Sequence, residues 1–143
     1  MKSLILLSGL MIMTTLAGNE QTAGVEGQLV CGDKPLVGAL IKLWELDRWP
    51  NTDDVLAETQ TDDMGRFKIQ GTDNDMPHIE AVLKIYHRCN HRSHIFKRLG
   101  QCKRKNEYKI PSEYITWGTQ AEKFYNIGTV NLEAKQQGEG TKC

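Results

Sequence analysis

Beyond residue 18 the chain carries almost no sustained helical period. It carries short runs of alternating apolar residues punctuated by turn signals, and that rhythm restricts it to an all-β fold. The clearest run is 79–86, where Ile79, Ala81, Leu83 and Ile85 alternate with Glu80, Lys84 and Tyr86 in the period of a half-buried strand. Residues 25–31 set Val25, Gly27, Leu29 and Cys31 on one face. The turn Gly32-Asp33-Lys34-Pro35 leads into 37–46, which is apolar on both faces. Pro50 and Asn51 forbid a ladder through 47–54, and 55–61 resumes as a strand. TDDMGRF at 61–67 reads as a tight hairpin whose Gly65 takes positive φ, with Phe67 and Ile69 facing inward beyond it. Strands are expected again over 104–110 and 124–132, with 111–118 as a turn or short strand. Seven or eight short antiparallel strands in about 110 residues make a β-sandwich.

The beginning of the chain reads differently. A short basic start, an apolar run over 4–16 and the small residues Thr15 and Ala17 predict a signal peptide over 1–17, cleaved after Ala17. The run is shorter than the ~20 residues a spanning helix needs. A sandwich domain is then expected over 18–133, followed by a polar tail, 134–143, mobile except where Cys143 is tied down. Secretion gives the four cysteines, Cys31, Cys89, Cys102 and Cys143, an oxidising compartment and implies two bridges. No N-x-[ST] sequon occurs, so N-glycosylation is not expected.

Charge is segregated. The chain has 18 basic and 18 acidic side chains, yet no acid lies between Glu80 and Glu107. That interval holds Lys84, Arg88, Arg92, Lys97, Arg98, Lys103, Arg104 and Lys105, with His87, His91 and His94 and an apolar Ile95-Phe96 pair at its middle. The expected structure is a basic surface loop between Cys89 and Cys102. If strands run up and down, the loops 32–37, 62–65 and 88–104 share one end, and 47–54 and 72–78 share the other. The second end then gathers Asp47, Asp53, Asp54, Asp73 and Asp75. Such a dipole orients a neutral protein toward an anionic surface.

The segments VEGQLVCGDKPLVGALIKLWELD, DDVLAETQTDDMGRF, LKIYHRC and FYNIGTVNL, together covering much of 25–133, resemble the transthyretin-like family of secreted nematode proteins. The resemblance implies a transthyretin or prealbumin-like β-sandwich of Greek-key type. It does not imply hormone transport, which belongs to a channel in a vertebrate tetramer. A related fold hosts a hydroxyisourate hydrolase that closes on Tyr-Arg-Gly-Ser and uses an early histidine. This chain ends in GEGTKC and has no histidine before His78, so no enzyme is expected.

Metal binding is weighed and set aside. His87, His91 and His94 have helical spacing for a metal, but eight neighbouring cations oppose it. The carboxylates Asp47, Asp53, Asp54, Asp62 and Asp63 lack the spacing of a calcium loop and read as a solvated edge. No metal and no cofactor is expected. The candidate binding residues are Arg88, Arg92, His94, Ile95, Phe96, Lys97, Arg98, Lys103 and Arg104. The function expected of them is that of a secreted binding or adaptor module, engaging an anionic lipid, a glycan or an extracellular receptor. Nucleic acid is not expected, since no stacking array accompanies the charge beyond Phe96. The alternative is a carrier of a small hydrophobic ligand in a cavity or at a dimer interface. The expected bridges are Cys89–Cys102, closing the basic loop between two strand ends, and Cys31–Cys143, reached by the tail. The rival pairing is Cys31–Cys89, because strand parity puts those two at the same end.

Overall fold

The computed structural model describes residues 18–47, 50–74, 77–90 and 102–143. Among the described residues, ten strands form two layers. One sheet is built on β1 (Gln21–Cys31), which pairs antiparallel with β2 (Lys34–Pro35), β5 (Arg66–Asp73) and β8 (Ile115–Trp117), and parallel with β9 (Tyr125–Asn131). The other runs in the order β10 (Gly140–Lys142), β7 (Lys103–Lys109), β6 (Ala81–His87), β3 (Leu40–Glu45) and β4 (Asp54–Gln60), all antiparallel. The parallel β1–β9 pair departs from the all-antiparallel expectation. The long connection through the 3-10 turn Ser112–Tyr114 and β8 brings β9 alongside β1 in the same direction.

The core lies between the layers. Val25 and Leu29 from one sheet meet Ile41, Leu43, Leu83 and Ile85 from the other, all fully buried. In β3 the buried residues are Ile41, Leu43 and Glu45, while Leu40, Lys42 and Trp44 face outward. β6 is buried on both faces and not only on the inner one, because Val82 and Tyr86 on its outer side are also covered. A central strand flanked by long side chains on both neighbours loses its solvent face to their stems.

The TDDMGRF hairpin forms as expected. Asp62 Oδ1 accepts from the backbone N–H groups of Met64 and Arg66, and Gly65 sits at φ +74°. Its carbonyl accepts from Leu29 N–H at 2.7 Å, and a Cβ there would fall 2.2 Å from the Leu29 oxygen. Only glycine fits a backbone approach this close.

Both expected bridges are corrected. The disulfides are Cys31–Cys89, with Cα atoms 5.7 Å apart, and Cys102–Cys143, with Cα atoms 4.0 Å apart. Cys89 faces the core beyond the end of β6, where the end of β1 brings Cys31 from the opposite layer. That bridge joins the two sheets. Cys102 and Cys143 follow from register, since Lys103 pairs with Lys142 in β7–β10 and the next residues outward are the two cysteines. The tail therefore carries a strand of the second sheet.

Candidate functional site

The bridges define one pole of the sandwich. Cys31, the turn containing Gly65, the 36–39 segment and Cys89 lie together there, as Leu29 and Thr61 hydrogen bonds to these segments show. The far end collects acid: Glu45, Asp54 and Asp73 place carboxylate oxygens within 4.8 Å of one another. Acids lie at the first pole as well, where Asp62 and Asp63 precede Gly65 in its turn, so the described residues do not separate charge cleanly by pole.

The candidate residues at the basic pole divide into three groups. Arg88 is exposed and Lys103 half-buried, so both are available at the surface. They border a groove of about 570 Å³ that also includes Cys31, Cys89 and Val37, the last 61 % exposed. Arg92, His94, Ile95, Phe96, Lys97 and Arg98 lie outside the described residues, as does His91. Arg104 is the third case and a correction.

Arg104 faces inward, 7 % exposed, and is no surface binding residue. Its Nη1 donates to the carbonyls of Cys89 and, at 2.7 Å, Leu132, while Nη2 donates to Ala134 O at 3.1 Å. Its Nε and Nη2 reach the two Glu139 oxygens at 3.0 and 2.7 Å, a two-pronged ion pair. Burial by itself would raise the Glu139 carboxyl pKa. The hydrogen bonds from Arg104 and Asn106 and the guanidinium charge outweigh it and hold the group below the usual carboxylate range.

A chain of hydrogen bonds extends this clamp. Cys89 N–H donates to His87 Nδ1 at 3.1 Å, so the ring proton is on Nε2, which donates to Asn106 Oδ1 at 2.7 Å. Asn106 Nδ2 donates in turn to Glu139 Oε1 at 3.2 Å. His87 is thus 3 % exposed and engaged inside the protein. The clamp ties together Cys89 at the end of β6, Arg104 on β7, the end of β9 and the tail. Asn90, the next residue after Cys89, sits in the left-handed region at φ +48°.

A second surface was not legible in the sequence. On the outer face of the β10–β7–β6–β3–β4 sheet, Lys42, Lys84, Lys103, Lys105 and Lys142 surround Trp44 and Tyr86 in a groove of about 420 Å³. Lys42 and Lys84 stand directly opposite each other in register. The alternation of 40–45 would have found Lys42 and Trp44, but an apolar reading of both faces hides it.

The family pattern of the transthyretin-like proteins matches residues 26–111. Among curated relatives, Transthyretin-like protein 5 of Caenorhabditis elegans is 38 % identical, over 100 % of this chain and 99 % of that one. Transthyretin-like protein 33 of the same organism is 35 % identical, over 100 % of this chain and 98 % of that one. Transthyretin-like protein 46 is 36 % identical, over 97 % of this chain and 76 % of that one. The matched segment runs from within β1 to just past β7, and the chain belongs to the transthyretin-like family.

Proposed function

We propose that this protein is a secreted binding or adaptor protein, not an enzyme, and that it engages an anionic ligand through its basic pole. The observation that carries the reading is the anchoring of the basic segment. Its first foot, Cys89, is bonded across the sandwich to Cys31, and its second, Cys102, is bonded to Cys143. Arg104 holds the carbonyl of Cys89 from below. A charged segment set on a fixed base loses less freedom on binding than a free loop would. The polar groups beneath it, His87, Asn106, Arg104 and Glu139, satisfy one another, which suits a support better than a reaction centre.

Secretion is part of the reading. It is supported by the apolar leader-like run over 4–16 and by the two disulfides.

The test is where ligand perturbs the protein. Vesicles of anionic phospholipid, added to protein lacking residues 1–17, should move the NMR signals of Arg88, Asn90 and Lys103. Shifts confined to β9 would instead favour a carrier of a small hydrophobic ligand and overturn the reading.

A further inference from the structure

The lysine-rich outer sheet face has features that solubility does not require. Lys42 on β3 and Lys84 on β6 are register partners, and like charges directly opposite across strands destabilise a sheet. Each has an acid as register partner on its other side, Glu58 for Lys42 and Glu107 for Lys84, and aromatic rings lie beside both lysines. Lys84 Nζ lies 4.4 Å from the Trp44 ring centroid, and Lys42 Nζ lies 6.0 Å from Trp44 and 5.8 Å from Tyr86. Tyr86 is only 7 % exposed, so its ring is part of the floor. Two further cations, Lys103 and Lys142, are register partners on β7 and β10, and Lys105 completes the group.

Acids balance only part of this charge. Lys42 pairs with Glu58 at 3.2 Å and Lys105 with Glu107 at 3.4 Å. Lys84, Lys103 and Lys142 are in no ion pair among the described residues.

We infer that this face is a binding site for a sulfated polysaccharide chain. The cations extend over β3, β6, β7 and β10, three strand spacings or roughly 15 Å, which a single phosphate or sulfate ion cannot span. A linear polymer bearing an anionic group on successive sugars can. Every cation on the face is lysine, a compact point charge that does not demand the planar two-pronged geometry of arginine, and this suits sulfates at varied angles. A membrane fits less well, because none of the large apolar side chains lining this groove is exposed: Leu40 and Trp44 are half-buried and Tyr86 is buried. Nucleic acid would call for exposed rings on which bases stack, and these rings lie under lysine stems. The site adjoins the groove at the basic pole, and among the described residues the two share Tyr86 and Lys103.

The experiment uses the full-length secreted chain, heparin as the probe and neutral dextran as the control. Wild-type protein should bind heparin, ignore dextran, and release as salt rises. The triple variant Lys84→Gln/Lys105→Gln/Lys142→Gln should bind about a hundredfold more weakly, from roughly a fivefold loss per lysine. Its thermal melt should stay close to wild type, since these lysines are surface residues. The Trp44 indole N–H signal should shift on adding a heparin oligosaccharide. The pole variant Arg92→Gln/Lys97→Gln/Arg98→Gln should lose less heparin affinity than the face variant. Equal binding by the face variant and wild type overturns the inference, as does failure of wild type to bind heparin. A loss confined to the pole variant also overturns it, and leaves the pole reading standing.

Discussion

The Arg104 guanidinium sits almost dry, bonded to Cys89, Leu132, Ala134 and Glu139, and every one of its partners belongs to the edge of the basic pole. Breaking one half of such a buried pair strands the other charge, which costs about 3–5 kcal/mol. Glu139→Gln should therefore lower stability by about that much at neutral pH, read by urea denaturation. The pH dependence follows from the direction of the Glu139 shift. Its folded pKa is depressed, so its stabilisation is present above the unfolded value of about 4.3 and is lost as pH falls through the folded value. The gap between wild type and Glu139→Gln should narrow once the solution is acidified below pH ~4. A gap that stays constant into that range would contradict the assignment. Gly65 offers a second residue-scale prediction. Gly65→Val places a branched side chain at φ +74° against the Leu29 carbonyl and should cost at least about 1–3 kcal/mol. A variant that melts with wild type would refute the hairpin geometry.

At the scale of elements, β6 is the strand whose loss the fold would feel most, since it joins β3 to β7. Leu83 is fully buried at its centre, and Leu83→Ala should cost about 2–5 kcal/mol through the cavity it leaves. The Cys102–Cys143 bridge closes 41 residues and Cys31–Cys89 closes 58, each contributing about 4 kcal/mol on the chain-entropy account. Peptide mapping without reduction should recover those two pairs, and a Cys89–Cys102 fragment would contradict the register of β10. These elements were unequally legible in the sequence. The hairpin at 61–67 and the inward residues of β5 and β6 were readable because local turn chemistry and strand period specify them. β10 was not, because three residues, Gly140-Thr141-Lys142, are too few to show a period, and without β10 the cysteine pairing has no frame. Arg104 was misread for a related reason. A cation inside a basic run looks solvated until Glu139, 35 residues away, is folded against it. Of the candidate binding residues, Arg88 and Lys103 reach the surface as a basic run leads one to expect, whereas the lysine face depends on cross-strand register that no single segment contains.

At the scale of the whole molecule, the 18 basic and 18 acidic side chains cancel in number. The attraction proposed for the basic pole is therefore local, and salt should weaken it. The central claim, that the pinned basic pole binds an anionic partner, is tested most directly by sedimentation with vesicles containing anionic phospholipid across a salt series. Wild-type protein should sediment at about 0.01 M salt, where the Debye length is about 30 Å, and progressively stay in solution as it shortens to about 10 Å at 0.1 M. Arg92→Gln/Lys97→Gln/Arg98→Gln should lose about 3 kcal/mol of that binding, about 1 kcal/mol for each cation near the surface. A wild-type protein that ignores the vesicles at 0.01 M salt, or a triple variant that sediments as well as wild type, would contradict the account.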